Sequence, residues 1–79
     1  MKVLFFARAR DLAGAAEAVI ELPSGATVAN LRHALADRYP KLAPLMERCA
    51  MAVDNELAET NTPISPNSVV ALLPPVSGG

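Results

Sequence analysis

The chain ends in the stretch Ser68-Val69-Val70-Ala71-Leu72-Leu73-Pro74-Pro75-Val76-Ser77-Gly78-Gly79, where an apolar run leads into two prolines and a Gly-Gly terminus. Its first part, from Ser68 to Leu73, is rich in β-branched and aliphatic residues and predicts the last strand of a sheet. The prolines have a fixed φ and no N–H group, so they hold the next segment extended and outside the sheet. Extended, the arm from Pro74 to Gly79 reaches about 20 Å.

The tip of this arm presents a single chemical group, the α-carboxylate of Gly79. Neither terminal glycine has a Cβ, so a narrow channel in another protein can admit the tip. A carboxylate on a stiff, thin arm indicates a reactive group that the active site of another protein modifies. The alternative is a disordered terminus without a function, which is the usual fate of chain ends.

The N-terminal half predicts two strands and one helix. The segments from Lys2 to Ala9 and from Glu17 to Leu22 have strand composition, and the residues between them, which include Gly14, form a longish hairpin loop. Thr27 is a good N-cap for a helix from Val28 to about Tyr39, which Pro40 then stops.

The C-terminal half predicts three shorter strands. Pro44 leaves room for at best a short helical turn over residues 45–48. The third strand runs from Cys49 to Val53, Asp54-Asn55 forms a turn, and Leu57-Ala58 begins a short return strand. Residues 60–67 are polar and contain prolines, so they predict a loop before the last strand.

This order of elements predicts an α+β roll, a mixed sheet of about four to five strands with one main helix on one face. The roll would occupy residues 1–73, and residues 74–79 would form the tail. The first and last strands are the most apolar, which favours neighbouring central positions in the sheet.

Both of these strands are apolar on their two sides. Val3 and Phe5 alternate with the equally apolar Leu4 and Phe6, and in the last strand Val70 and Leu72 alternate with three further apolar residues, Val69, Ala71 and Leu73. One short helix cannot cover both faces. We therefore predict that the second face is a partner surface, with partial shielding by loops as the alternative.

Composition excludes several classes of protein. The 79 residues are 52% hydrophobic and 19% charged, which is not the composition of a disordered chain. Net charge is −1 with no basic run, which argues against a nucleic-acid partner. Cys49 stands alone, so no internal disulfide forms, and a reducing compartment fits. No apolar run is long enough for a membrane span or a signal peptide, so we expect a cytoplasmic location.

The chain lacks constellations that carry catalysis. Its cysteine and histidine do not form a metal-binding pattern, and no nucleophile–base pair or phosphate loop is present. His33 lies off the apolar side of the predicted helix and is expected to be solvated. Cys49 is read as a small buried core residue in preference to a reactive thiol. Lys2, Arg8 and Arg10 form a solvated edge or steer an acidic partner surface.

A β-grasp roll with an extended Gly-Gly terminus resembles the ubiquitin-like sulfur carriers. The segments Met1–Arg8 and Val70–Gly79 are similar to the start and end of the small subunits of molybdopterin synthase, and Thr27-Val28-Ala29 and Ala52-Val53 fit that family's helix start and third strand. One departure is the turn before the last strand, where the family usually has Gly-Asp and this chain has Pro66-Asn67-Ser68. Asn67 tolerates the left-handed conformation nearly as glycine does.

The resemblance implies a sulfur-carrier function. An activating enzyme of the ubiquitin type would adenylate the Gly79 carboxylate with ATP, and a sulfur donor protein would convert the acyl-adenylate to a thiocarboxylate. The tail would then enter the large catalytic subunit and deliver sulfur to cyclic pyranopterin monophosphate, forming molybdopterin. The chain itself would bind no cofactor, and the active site would lie on the large subunit.

The family also implies which residues meet the partner. By position, Phe6, Leu57 and Leu73 would form an apolar interface with the large subunit in a heterotetramer. The residues that thread into the partner would be those that precede Gly79: Pro74, Pro75, Val76, Ser77 and Gly78.

Three other functions remain open. A carrier of the thiamine pathway has the same tail chemistry but makes a thiazole, although the Pro74-Pro75 approach is more similar to the molybdopterin family. A ubiquitin-like modifier would use the same activated carboxylate to form isopeptide bonds with lysines. A plain interaction domain would dock its proline pair in an aromatic groove, which leaves the terminal glycines unexplained.

Overall fold

The computed structural model describes residues 1–75, which form five strands and three short helices. The strands are β1 (Lys2–Phe5), β2 (Glu17–Val19), β3 (Ala50–Val53), β4 (Glu56–Ala58) and β5 (Val69–Leu73). The helices are α1 (Ala7–Ala13), α2 (Val28–Arg38) and α3 (Ala43–Met46), with a 3₁₀ turn at Pro40–Leu42 before α3.

The first and last strands lie side by side at the centre of one mixed sheet. The strand order is β2-β1-β5-β3-β4, with β1 and β5 parallel and every other neighbouring pair antiparallel. This arrangement confirms the predicted α+β roll and the central positions of β1 and β5. Because α2 connects the two antiparallel halves, the chain can return to place β5 parallel to β1.

The prediction of a strand through Ala9 was wrong beyond Phe5. Residues 7–13 form helix α1, which buries Ala9 completely, and Gly14 ends the helix with a φ of 75° and an N–H that donates to the Arg10 carbonyl at 2.9 Å. The sheet therefore carries more than the single helix expected from the sequence. Alanine, arginine and leucine favour helix, and their preference replaces the strand where the sheet ends.

Helix α2 matches its prediction closely. The Thr27 hydroxyl accepts the Asn30 N–H, and the Asn30 side-chain oxygen accepts the Thr27 N–H at 2.9 Å, so both first-turn donors are satisfied. The helix buries Val28, Leu31 and Leu35 against the sheet. It ends at Arg38, where Pro40 begins the 3₁₀ turn.

Two turns position the last strand. Asp54 and Asn55 both have a positive φ, 49° and 72°, which is the geometry of a two-residue hairpin between β3 and β4. The Asp54 carboxylate accepts the Ser68 hydroxyl at 2.9 Å and the Val69 N–H at 3.0 Å, so this hairpin also fixes the start of β5.

The turn before β5 does not use the left-handed conformation that Asn67 tolerates, because Asn67 is not among the residues with positive φ. The Ser68 N–H closes that turn by donating to the Ser65 carbonyl at 3.0 Å.

The core lies between one face of the sheet and the helices. It contains the completely buried side chains of the sheet, of α2 and of the 3₁₀ turn: Val3, Met51, Val70, Leu72, Val28, Leu31, Leu35 and Leu42. Phe5 packs edge-on against Tyr39, with ring centroids 5.3 Å apart, and so ties β1 to the end of α2. The division into a domain of residues 1–73 and a tail of residues 74–79 stays a prediction, because residues 76–79 lie outside the described residues.

Candidate functional site

The side of the sheet opposite the helices is apolar and is called here the outer face. One row across it follows the strand pairing, with Leu4 beside Ala71, Ala71 beside Ala52, and Ala52 beside Leu57. The row below contains Leu73 beside Ala50, and continuing the β1–β5 register places Phe6 next to Leu73. Alternation along each strand produces this surface from the residues that do not enter the core.

The three residues expected at a partner interface all belong to this face. Phe6 is 46% exposed, Leu57 is 77% exposed, and Leu73 is partly buried. Phe6 and Leu73 are neighbours, whereas Leu57 lies two strands further along the sheet, at roughly 10 Å for two strand spacings. The structure thus brings the predicted residues onto one surface, and what they bind stays a prediction.

The outer face is larger than those three residues. Four large hydrophobic side chains are identified as exposed in residues 1–75, namely Phe6, Val19, Leu57 and Val69, and all four lie on it. Val19 and Val69 flank Lys2 in a third row, near the β2 edge. The sequence contained the signal for Val19, since it alternates with the buried Ala18 and Ile20, but Val19 was not assigned to a partner surface.

Charge on the outer face is confined to one ion pair. Lys2 and Glu17 are the charged residues that the five strands direct to this side, and the Lys2 Nζ lies 3.4 Å from the Glu17 Oε2. Both side chains are about half exposed, so this pair contributes little to stability. Their charges neutralise one another, which leaves the surface suited to an apolar partner.

The root of the tail adjoins this face. Strand β5 ends at Leu73, and Pro74 and Pro75 follow without regular structure, both partly buried. The remaining predicted tail residues, Val76, Ser77, Gly78 and Gly79, lie outside the described residues, and the predicted reactivity of Gly79 stays a prediction. Any partner that covers Phe6 and Leu73 would therefore also meet the first residues of the tail.

Cys49 and His33 lie in the surroundings that the sequence predicted for them. Cys49 is buried in the core, where burial raises the pKa of its thiol against the smaller opposing influence of the Arg32 charge. His33 is exposed on α2, as predicted. No group of three metal-ligating side chains occurs within residues 1–75, and no helix in that range is long and apolar enough to cross a bilayer.

Comparison with known proteins finds similarity over the whole chain. The model of the ThiS family matches residues 3–79. The molybdopterin synthase sulfur carrier subunit of Arabidopsis thaliana is 32% identical over 79 residues, covering 100% of this chain and 82% of that protein. The protein of the same name from Escherichia coli strain K12 is 36% identical over 83 residues, covering 100% of this chain and 99% of its own length.

Solved structures show the same fold. A chain in the complex of subunits 1 and 2 of the molybdopterin-converting factor from Helicobacter pylori has a TM-score of 0.71 at 29% identity, covering 99% of this chain and 96% of that one. The small archaeal modifier protein 1 of Methanosarcina acetivorans has a TM-score of 0.80 at 26% identity, with coverage of 99% and 94%.

Proposed function

Because this chain belongs to the ThiS family, we propose that it is the sulfur carrier subunit of a molybdopterin synthase. The observation that carries the proposal is the outer face, an apolar surface that borders the strand leading into the Gly-Gly tail. A carrier must be held by its partner while its terminus reacts, and this surface supplies the means of holding it.

The chemistry proposed for Gly79 requires an external activating enzyme. A carboxylate is a poor electrophile, so its oxygen first attacks the α-phosphate of ATP, forming an acyl-adenylate and releasing pyrophosphate. A sulfur donor protein then delivers sulfur at the oxidation level of sulfide to the acyl carbon, AMP leaves as the C–S bond forms, and a thiocarboxylate remains. Transfer of that sulfur to cyclic pyranopterin monophosphate, with water supplying an oxygen, regenerates the Gly79 carboxylate.

The proposed division of labour assigns catalysis to the large subunit. The outer face, including Phe6, Leu57 and Leu73, would dock on that subunit, and the tail from Pro74 to Gly78 would thread toward its active site in a heterotetramer. The relative from Helicobacter pylori forms a complex between subunits 1 and 2, which supports such a partner. The absence of a disulfide partner for Cys49 in the sequence fits a cytoplasmic location.

A second candidate function is protein modification. The similarity to the Methanosarcina acetivorans modifier protein favours it, because the same activated carboxylate can form an isopeptide bond. Intact-mass measurement of the protein purified from cells separates the two functions. Replacement of one oxygen by one sulfur supports the carrier, whereas high-mass adducts on lysines support the modifier.

Changing the terminus by one residue tests the proposed role of Gly79. Deleting Gly79, or adding one glycine after it, moves the reactive carbonyl and should abolish sulfur transfer in an assay reconstituted with the large subunit, the activating enzyme and a sulfur donor. Thermal unfolding of both variants should coincide with that of the wild type, because neither change touches the core. Sulfur transfer that survives either change would contradict the carrier function.

A further inference from the structure

The two edges of the sheet are treated differently. At the β2 edge, Ala16 and Ile20 use their backbone groups toward β1, so the groups of Glu17 and Val19 point outward. Arg38 reaches from the end of α2 and its Nη1 donates to the Val19 carbonyl at 2.9 Å. A long cationic side chain therefore occupies this edge, which is a common protection against unwanted strand pairing.

The opposite edge is open at Leu57. The Asp54 N–H donates to the Val69 carbonyl of β5 at 2.9 Å. Because the backbone groups of successive strand residues point in opposite directions, the N–H and C=O of the preceding residue, Val53, point toward β4. Val53 pairs with Glu56 across the two-residue turn, and the next pair, Ala52 with Leu57, is consequently not hydrogen-bonded. The N–H and C=O of Leu57 therefore point away from the sheet, toward solvent.

The residue that follows on this edge is already satisfied. Outward-pointing groups recur at every second residue, so Glu59 is the next after Leu57. The Glu59 N–H donates to the Thr62 hydroxyl at 3.0 Å, and the Glu59 carbonyl accepts the Thr62 N–H at 3.0 Å. Leu57 thus combines an unoccupied backbone edge with the most exposed large apolar side chain of residues 1–75, at 77%.

We propose that an extended segment of the large subunit pairs with β4 at Leu57, adding a strand to the sheet while it covers the adjoining outer face. This inference rests on the proposed function for the identity of the partner. Continuity selects that partner, because the Leu57 side chain belongs to the outer face and its backbone forms the border of that face.

Charge further specifies the pairing segment. Glu56 and Glu59 flank Leu57, are exposed, and form no ion pair within residues 1–75. A second copy of this chain pairing through β4 would bring four carboxylates to one short edge, and like charges across a strand pair are destabilising. The segment that fits is an extended one with lysine or arginine near an apolar centre.

N-methylation of the Leu57 backbone tests the pairing directly. Ligation at Cys49 joins a synthetic segment carrying N-methyl-Leu57 to the preceding part of the chain, which leaves every side chain unchanged. The methyl group removes one donor and blocks the open edge, so affinity for the purified large subunit should fall about tenfold or more. The matched comparison is N-methyl-Val19, whose N–H points outward at the β2 edge that Arg38 occupies, and its loss of affinity should be several-fold smaller than that of N-methyl-Leu57. Neither change should lower the melting temperature.

The outcomes separate this inference from the proposed function. Unchanged affinity of N-methyl-Leu57, together with lost binding of Phe6→Asp, would overturn the strand pairing and leave the docking of the outer face intact. Unchanged affinity of both would contradict that docking as well. A dimer of the unmodified chain alone, detected by sedimentation and abolished by N-methyl-Leu57, would overturn the proposed occupant by showing that a second copy pairs there. A tenfold loss of affinity in N-methyl-Leu57, together with protection of the Leu57 amide of the unmodified chain from hydrogen exchange in the complex, would support the pairing.

Discussion

The two faces of the sheet are built from the same strands and almost the same kinds of residue, yet only one of them is closed. On the inner face Val3 is 0% exposed and Phe5 is 2% exposed, whereas on the outer face Phe6 is 46% and Leu57 is 77% exposed. All the helices cover the inner face, where the whole core lies. Apolar composition therefore does not decide which face of the sheet becomes the core; the position of the helices does.

The difference has an energetic meaning. Burial of apolar surface contributes about 25 cal/mol per Å², and the inner face realises that contribution when the chain folds. The outer face keeps part of its apolar surface in water, so the same contribution is available when a partner covers it. Mutations on the two faces should consequently affect different measurements.

The largest expected effect on folding is that of Leu72→Ala. Leu72 is completely buried in β5, and truncation should lower the free energy of unfolding by about 2–5 kcal/mol through lost burial and a residual cavity. Leu73→Ala is the matched control. Leu73 is the next residue on the same strand but points to the outer face, so its truncation should lower the free energy of unfolding by less than about 1 kcal/mol. Chemical denaturation of both variants measures the difference, and equal losses would remove the contrast between the faces.

The next effect concerns binding and should appear with Phe6→Asp. A charge placed in a desolvated apolar contact should weaken association with the large subunit about 30-fold or more, equivalent to about 2 kcal/mol. Leu73→Asp should act in the same direction. Titration of the large subunit measures the affinity, and circular dichroism melts monitor the fold.

Val19→Asp serves as the graded control for Phe6→Asp. It places the same charge on the outer face but at the other end of β1, beside the Lys2–Glu17 pair, and should weaken binding less than tenfold. Equal losses of affinity in Phe6→Asp and Val19→Asp would show that the partner covers the whole outer face. Unfolding of Phe6→Asp at room temperature, with no separate binding defect, would show that Phe6 belongs to the core.

The smallest expected effect is a pH dependence of the free energy of unfolding, which comes from the buried Cys49 in the core. Burial raises the pKa of the Cys49 thiol above the value of 9.0 that it would have when unfolded. Above pH 9.0 the unfolded chain loses this proton first, so the free energy of unfolding should decline as pH rises, and below pH 9.0 the group should have no influence. Comparing urea unfolding of the wild type and Cys49→Ala between pH 7 and 10 isolates the thiol. Parallel profiles would contradict the assigned burial.

Much of the fold was predictable because local patterns and long-range packing agree. The Thr27 cap, the helix that follows it, the Asp54-Asn55 turn and the alternation in β5 all appear where the sequence indicates them. The failure at α1 has a physical reason. The apolar run that begins β1 continues past the point where the sheet ends, and only the packing of Ala9 in the core, with Gly14 closing the helix, shows that the backbone has changed its conformation.

The candidate site divides in the same way. The chemistry proposed for Gly79 was predictable from the sequence, because it depends on the residue types at positions 74–79 and on the resemblance to a family, and it stays a prediction. The positions of Phe6, Leu57 and Leu73 on one surface required the strand order β2-β1-β5-β3-β4, since residues this far apart in the chain meet only through pairing.

The sequence by itself determined that two strands have two apolar faces, that one helix is capped at Thr27, and that two prolines and a Gly-Gly pair follow the last strand. Only the tertiary structure decided which face the helices cover and which edge of the sheet stays open. The physical reason is that alternation specifies two sides without ranking them. Which face is covered depends on where α1 and α2 pack. Which edge stays open depends on Arg38, which donates to the Val19 carbonyl at the β2 edge, whereas within residues 1–75 the outward backbone groups of Leu57 at the β4 edge have no such partner.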